Sequence, residues 1–449
     1  MNQLFGTDGV RGMANISPMT AEMALAIGRA AAYVCKRHEK RHRIVIGKDT
    51  RLSGYMLENA LTAGICSMGV DVLLVGPMPT PGIAFITHSM RADAGIVISA
   101  SHNPYHDNGI KIFSPEGYKL SNELEKEIET LISSEKIDDI RPTADAIGKA
   151  YRIDDAIGRY IEFCKNTFPD DLTLDGLKIV IDCANGATYK VAPIIFSELG
   201  ANVLVIHNKP DGMNINVNCG SQFTGDLSKK VRETGADGGL AFDGDGDRII
   251  ATDEKGNELN GDCIIVICAQ FMKERGLLAN DLVVITPMTN LGTRQALDNL
   301  NIKHEEADVG DRNVLRLMKK NGAVLGGEQS GHIIVLDRHT TGDGIVSALL
   351  FLAILKQSGR KLSDLASIVK TSPQKLINVH VKNKPPLNSI QPLQDAIQEV
   401  ESDLGTKGRV LIRYSGTQPI CRVMVEGPTE ELTTKLAESL AQTVKDTIG

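Results

Sequence analysis

Ala92-Asp93-Ala94-Gly95-Ile96-Val97-Ile98-Ser99 and, further along, Ala236-Asp237-Gly238-Gly239-Leu240-Ala241-Phe242-Asp243 follow one pattern: an acidic residue, a glycine-containing apolar run, and a polar side chain where the run ends. A short continuous apolar run predicts a strand buried on both faces, as in sheets flanked by helices. What precedes each run repeats as well. Before the first come Arg43-Ile44-Val45-Ile46-Gly47, a helix-like stretch over 55–68, and Val70-Asp71-Val72-Leu73-Leu74-Val75. Before the second come Lys178-Ile179-Val180-Ile181-Asp182, a helix over 191–199, and Ala201-Asn202-Val203-Leu204-Val205-Ile206. A third copy opens with Leu282-Val283-Val284-Ile285-Thr286 and a helix over 293–300, and ends on Gly322-Ala323-Val324-Leu325-Gly326-Gly327-Glu328-Gln329-Ser330-Gly331-His332. This alternation predicts three similar mixed-sheet α/β domains.

The pattern stops at Pro373 and Lys382-Asn383-Lys384-Pro385-Pro386, after which the strand Gly408-Arg409-Val410-Leu411-Ile412 leads into one more glycine-containing loop. A smaller C-terminal α+β domain is expected there. The boundaries read as 1–152, 153–254, 255–370 and 371–449, consistent with 449 residues at roughly 100–200 per domain. Ligands of α/β sheets gather at the carboxyl ends of strands, so the polar loops are expected around a central cleft.

Composition excludes several classes. With 42% hydrophobic and 23% charged residues the chain is an ordinary globular one. No apolar stretch approaches the roughly 20 residues of a membrane span, and the N-terminus has no basic region or apolar core of a signal peptide. A cytoplasmic protein without a membrane partner is expected. Eight scattered cysteines, none in a C-x-x-C pair, read as buried reduced thiols. A net charge of −7 gives no pull on polyanions, so no nucleic acid is expected as a partner.

The chemistry lies in the loops. In Ser99-Ala100-Ser101-His102-Asn103-Pro104, a strand delivers Ser101 with His102 beside it, and Asn108-Gly109-Ile110-Lys111-Ile112 follows. A serine that accepts and returns phosphate needs a proton shuttle and a cation to offset charge, roles for His102 and Lys111. An ordinary turn would use the same Ser, Asn and Pro. In Asp243-Gly244-Asp245-Gly246-Asp247-Arg248, three carboxylates at alternate positions repel one another unless a cation neutralises them, and Mg²⁺ suits carboxylates plus a phosphate oxygen. An EF-hand would put Asp243, Asp245 and Asp247 at its positions 1, 3 and 5, but needs Gly where Arg248 stands. A solvated acidic turn is the plain alternative.

Glu328, Ser330 and His332 alternate, and in an extended backbone they would point to one side, as the hydroxyls of a sugar require. Arg413-Tyr414-Ser415-Gly416-Thr417-Gln418-Pro419 combines donors with a glycine that exposes backbone amides, a nest for phosphate, and Arg422 adds a second guanidinium. At the N-terminus, Phe5-Gly6-Thr7-Asp8-Gly9-Val10-Arg11-Gly12 holds one arginine, Arg11, that could reach an anion. Lys48-Asp49-Thr50-Arg51-Leu52-Ser53-Gly54 reads as a helix start capped by Ser53.

Together and in this order, these segments resemble the α-D-phosphohexomutase superfamily across the whole chain. Within it, Phe5 to Gly12, Ile98 to Pro104 and Gly327 to His332 match bacterial members acting on an amino-sugar phosphate; that match, rather than a physical argument, selects the amino sugar. The resemblance implies a phosphoserine enzyme that interconverts glucosamine 6-phosphate and glucosamine 1-phosphate through a 1,6-bisphosphate, towards UDP-N-acetylglucosamine and cell-wall precursors. It implies that Ser101 carries the phosphate, and that one Mg²⁺ per chain is held by Asp243, Asp245, Asp247 and phosphorylated Ser101. Arg11, His102, Lys111, Arg248 and His332 would surround the reacting groups. Glu328 and Ser330 would take the sugar hydroxyls, and Arg413, Ser415, Gly416 and Thr417 the distal phosphate. Glucosamine 1,6-bisphosphate or a kinase would prime Ser101, and a homodimer through the first domain is implied.

One departure stands out: the family usually has Glu where this chain has Gln418. Three rival readings remain at this stage. A phosphomannomutase or phosphoglucomutase would differ in the sugar loop. A serine-dependent phosphatase would pass the phosphate to water, and a noncatalytic sugar-phosphate or Ca²⁺-binding protein would not need Ser101.

Overall fold

A computed structural model describes residues 4–6, 8–36, 41–134, 137, 139–415 and 419–449. They form two compact bodies, Met1–Thr286 with Glu305–Ala366 and Pro287–His304 with Ser367–Gly449.

The first body contains three sheets with one repeated core topology. In the first sheet Ala94–Ile98, Arg43–Lys48 and Asp71–Pro77 run parallel, and Asp107–Phe113 returns antiparallel beside Ala94–Ile98. Val10–Met13 and Ala150–Arg152 close its two edges. In the second, Gly238–Phe242, Lys178–Asp182 and Asn202–Ile206 are the parallel strands and Ile249–Asp253 the antiparallel return. In the third, Leu325–Gly327 lies parallel to Leu282–Ile285 and Ile333–Val335 turns back against it. The mixed sheets expected from the sequence are therefore present, and each ends its parallel run in a hairpin.

Hydrophobic burial fixes these strands. Every residue of Ala94–Ile98 and Gly238–Phe242 is buried, which accounts for apolar runs without alternation. Helices cover the sheets. Ala21–Val34 is capped by Thr20, whose hydroxyl accepts from Met23 N, and buries a face of small residues with Ile27. Gly344–Ser358 is apolar almost all round because both its faces are buried. Its N-terminus is satisfied by Asp343 Oδ1, which accepts from the amides of Ile345 and Val346 at 2.9 and 3.0 Å.

The second body is the smaller α+β unit. Gln374–His380, Ile420–Glu426 and Arg409–Tyr414 form an antiparallel sheet in that order. Leu393, Val400, Val423 and Leu440 lie in its core, contributed by helices Gln391–Leu404 and Glu430–Ile448 together with the sheet. Pro287–His304 packs with this body as well. The reason is a buried polar cluster. Asn290 Nδ2 donates to Ser372 O and to Glu426 Oε1, both at 3.0 Å, and Leu291 N donates to Glu426 Oε2 at 3.1 Å. All eight cysteines are free and seven are buried, as expected of reduced thiols.

Replacing Asn290 by Ala leaves buried Glu426 Oε1 and the Ser372 amide without their Asn290 partner, while Leu291 and Arg409 still hold Glu426 Oε2. A loss of about 2 kcal/mol or more is expected, read as faster amide hydrogen exchange in Ile420–Glu426; unchanged exchange there would refute the role of the cluster.

Candidate active site

The three hairpins of the first body bring three polar loops together. The first follows Ala94–Ile98, where Ser101 sits buried in the left-handed region at φ +52°. A serine held there costs roughly 1–2 kcal/mol, so surrounding bonds must hold it. Ser101 N donates to Ser99 Oγ at 2.9 Å, and Ser99 Oγ donates to Asp49 Oδ2 at 2.6 Å. Asp49 also pairs with Arg51 Nε at 2.8 Å. The fully buried Arg51 guanidinium then donates to the carbonyls of Ser101 and Asn103, each at 2.8 Å, of Asp107 at 3.2 Å, and of Pro104. Asn216 Nδ2 reaches the same Ser101 and Asn103 carbonyls at 2.9 and 3.1 Å.

The Lys48–Gly54 segment thus does more than begin a helix. Ser53 makes no side-chain cap, contrary to the sequence reading, because its residue is already in the helical region and its hydroxyl accepts from Asn108 Nδ2 at 2.8 Å. Arg51 and Asp49 brace the serine loop, and neither was singled out in the sequence.

The second loop joins Gly238–Phe242 to Ile249–Asp253. Ser101 Oγ donates to Asp243 Oδ2 at 2.6 Å. Asp245 Oδ2 accepts from Thr80 Oγ1 at 2.7 Å and from Lys111 Nζ at 3.1 Å, and Asp247 Oδ2 lies 3.7 Å from the same ammonium. One oxygen from each aspartate falls within 4.8 Å of the others. The loop is pressed against the serine: a Cβ on Gly244 would stand 2.7 Å from Ser101 O. Loop flanks are strands rather than helices, so an EF-hand is excluded.

The electrostatics follow from burial and mutual repulsion. Burial, then Asp247 and Asp245, push the Asp243 carboxyl well above its ordinary range. Asp247 is raised by burial and by Asp245. Asp245 is lowered despite its burial, because Lys111, Thr80 and Arg11 favour its charge. Buried Oδ1 atoms of Asp245 and Asp247 have no hydrogen-bond partner. Hard oxygen donors with unspent lone pairs are the donor set a divalent hard cation takes.

The cations expected at the site are there. Burial would discharge Lys111, but Asp245, Asp8 and Asp247 hold its pKa raised and keep it an ammonium. Arg11 pairs with Asp8, and Arg248 Nε lies 3.8 Å from Asp247 Oδ1. His102 Nδ1 is 3.3 Å from Ser101 Oγ. Burial, with Arg248 and Arg11, pushes His102 down to about 3, so its ring is neutral near pH 7.

The third loop differs from its expected form. Residues 328–331 make a tight turn instead of an extended run: Gly331 N donates to Glu328 O at 3.0 Å, with Gly331 at φ +89°. A Cβ there would lie 2.1 Å from Ile249 O, which requires the glycine. Glu328, Ser330 and His332 therefore do not alternate along a strand. Glu328 Oε1 accepts from Gly310 N at 3.1 Å, and Ser330 Oγ is buried without a hydrogen-bond partner. His332 Nε2 lies 3.7 Å from Asp311 and 4.0 Å from Asp247. Lys119, paired with both Asp8 and Asp311, completes the surroundings; nothing in the sequence pattern pointed to Lys119 or Asp311.

In the second body Arg413 and Arg422 stand directly opposite across neighbouring strands. Like charges in that register destabilise a sheet, a cost an anion between them would offset. Ser415 O accepts from Lys384 Nζ at 2.6 Å. Gly416 and Thr417, and with them Gln418 and Thr7, lie outside the described residues.

Comparison with known proteins gives the family. Residues 2–138, 158–256, 260–372 and 376–443 match the phosphoglucomutase/phosphomannomutase alpha/beta/alpha domains I, II and III and C-terminal domain, respectively. A phosphoglucosamine mutase of Syntrophus aciditrophicus is 59% identical over 100% of both chains, and one of Syntrophobacter fumaroxidans 58% identical over 100% of both. The chain belongs to the phosphoglucosamine mutases of the α-D-phosphohexomutase superfamily. Like other members it is an enzyme of intramolecular phosphoryl transfer, a phosphohexose mutase.

Solved structures share the fold. A phosphoglucomutase/phosphomannomutase family protein of Burkholderia thailandensis superposes with a TM-score of 0.80 at 24% identity, over 99% of this chain and 97% of that one. The Aspergillus fumigatus N-acetylphosphoglucosamine mutase, solved with GlcNAc-6P and magnesium, gives 0.71 at 17% identity, over 99% and 96%. No helix among the described residues is long and apolar enough to cross a membrane.

Two outcomes are expected of this geometry. Arg51→Lys cannot hold four loop carbonyls and Asp49 at once, so turnover should fall on the order of 100-fold through misplacement of the serine, with the circular dichroism spectrum retained. Unchanged turnover would show the brace to be dispensable. His102, whose folded pKa of about 3 lies below its ordinary 6.5, leaves the unfolded chain binding the extra proton between those values. Stability should therefore fall as pH drops through that window, and the His102 ring signals of unphosphorylated protein should not titrate between about pH 5 and 8.

Proposed function

We propose that this enzyme interconverts glucosamine 6-phosphate and glucosamine 1-phosphate through phospho-Ser101 and a 1,6-bisphosphate. The carrying observation is Ser101 Oγ, 2.6 Å from Asp243 within three buried aspartates, two of which, Asp245 and Asp247, keep unpartnered oxygens. Identity of 56–59% to relatives named phosphoglucosamine mutase supports the amino sugar. The product would serve UDP-N-acetylglucosamine and cell-wall precursor synthesis.

Asp243, Asp245 and Asp247, with the phosphate on Ser101, would hold Mg²⁺, which supplies charge neutralisation to the transferred group. In the forward half-reaction the substrate O1 gives up its proton and bonds to phosphorus as the Ser101 Oγ–phosphorus bond breaks, and Ser101 Oγ takes up a proton as it leaves. Lys111, kept cationic by its carboxylates, offsets charge on the equatorial oxygens, with Arg11 and Arg248. In the return half-reaction Ser101 Oγ attacks the 6-phosphate. Its proton passes to neutral His102 Nδ1, 3.3 Å away, and O6 takes up a proton as it leaves. His332 would face the reacting groups beside Asp247, and Glu328 and Ser330 would bind the sugar hydroxyls. Arg413, Ser415, Gly416 and Thr417, with Arg422, would grip whichever phosphate is not reacting.

This assigns the serine to residues 1–152, the metal to 153–254, the sugar to 255–370 and the distal phosphate to 371–449. Glucosamine 1,6-bisphosphate or a kinase would prime Ser101, in a homodimer formed through the first domain.

The test is a coupled assay of Mg²⁺-loaded protein on glucosamine 6-phosphate, glucose 1-phosphate and mannose 1-phosphate, each with its 1,6-bisphosphate. At least a ten-fold preference for the amino sugar is expected, about 1.4 kcal/mol in transition-state binding. Preference for a neutral hexose would move the assignment to a phosphoglucomutase or phosphomannomutase, and free phosphate without isomerisation would overturn the mutase mechanism. Ser101→Ala should lower turnover on the order of 10⁴-fold or more, and chelation should abolish it until Mg²⁺ is returned.

A further inference from the structure

Behind the aspartate loop, in the first body, three different donor types meet. Asp182 ends the strand Lys178–Asp182, His207 follows the neighbouring strand Asn202–Ile206, and Cys219 ends the loop that carries Asn216. One ligand atom from each, a carboxylate oxygen, an imidazole nitrogen and a thiol sulfur, lies within 4.8 Å of the other two. Asp182 and Cys219 are buried, and His207 is half-buried, leaving a path from solvent.

The geometry points to a second metal site here, formed by Asp182, His207 and Cys219 and suited to Zn²⁺ or a similarly thiophilic divalent ion. His207 Nδ1 is 3.0 Å from Asp182 Oδ2, yet it makes no aligned hydrogen bond. In a tetrahedral zinc site with bonds of 2.0–2.2 Å, nitrogen and oxygen ligands stand about 3.4 Å apart, so the observed separation needs little adjustment. On the far side of the ring, His207 Nε2 lies 3.4 Å from Asp226 Oδ2. A metal-bound histidine typically has such a carboxylate on its other nitrogen, fixing the tautomer. Asp182 is itself oriented, accepting from Ala184 N at 2.8 Å and Gly220 N at 2.9 Å. A thiol and an imidazole among the donors favour zinc over magnesium, which takes oxygen.

The position suggests what the ion would do. The turn after Asp182 packs on the aspartate loop, with Ala187 N donating to Gly244 O at 2.8 Å. Three residues before Cys219, Asn216 holds the Ser101 and Asn103 carbonyls. An ion tying Asp182, His207 and Cys219 together would stiffen both supports of the serine without touching the reacting groups.

The experiment uses full-length protein, stripped with chelator and kept in excess Mg²⁺ to fill the oxygen site, then titrated with Co²⁺ alone. One Co²⁺ per chain is expected, with a thiolate-to-cobalt charge-transfer band that an all-oxygen site does not give. Cys219→Ala should remove the band, and His207→Gln should weaken binding about ten-fold or more, equivalent to about 1.4 kcal/mol. His207→Gln changes a half-exposed residue, so it decides the matter even if Cys219→Ala fails to fold. No band in the unaltered protein, or a band of unchanged affinity in His207→Gln, would overturn the site and leave His207 and Asp182 as an ion pair only.

Discussion

Burial of like charge is the constraint on which the first body depends. Asp243, Asp245 and Asp247 are buried in one place, where unpaired carboxylates would each cost several kcal/mol. The chain answers with a string of ion pairs that closes into a ring through the imidazole of His332. Lys111 Nζ lies 3.1 Å from Asp245, 3.3 Å from Asp8 and 3.7 Å from Asp247. Asp8 passes the chain of pairs to Lys119, Lys119 to Asp311, Asp311 to His332, and His332 back to Asp247. Removal of one partner from such a buried pair typically costs 3–5 kcal/mol, so the ring fixes the loops that supply it.

That ring also explains why one topology is used three times. Each hairpin places a polar loop at the carboxyl end of a fully buried strand, and rigid strands deliver side chains more accurately than free loops. The serine and aspartate hairpins meet through the Ser101–Asp243 bond, and the aspartate and turn hairpins through Ile249 N and Gly331 O at 3.0 Å. Charge neutralisation and backbone pairing thus reinforce one another. The strain of Ser101 is supported by a separate device, the buried Arg51 guanidinium, whose planar fork satisfies several loop carbonyls at once.

Much of this was legible in the chain. The strands came from uninterrupted apolar runs, and the aspartate triplet from its spacing, because both are local patterns that burial and repulsion enforce wherever they occur. Ser101, His102 and Lys111 stood out for the same reason. Asp49 and Arg51 were in view but looked like a helix start, since capping and bracing use similar short polar segments. Lys119 and Asp311 carried no signal, because a charged residue in a loop or at a helix start is usually solvated. The alternation of Glu328, Ser330 and His332 misled, because period two implies one face only if the backbone is extended, and Gly331 turns it.

The sequence by itself determined the repeated strand–helix pattern, the buried strands and the residue types able to carry phosphoryl transfer, since each depends on near neighbours. The tertiary structure decided which of them meet: Ser101 with Asp243 across 142 residues, Lys111 with Asp245 across 134, and Pro287–His304 with the C-terminal sheet. Those partners are chosen by the pairing of buried charges and polar groups once water is excluded, and that energy depends on distance in space, which no local pattern records.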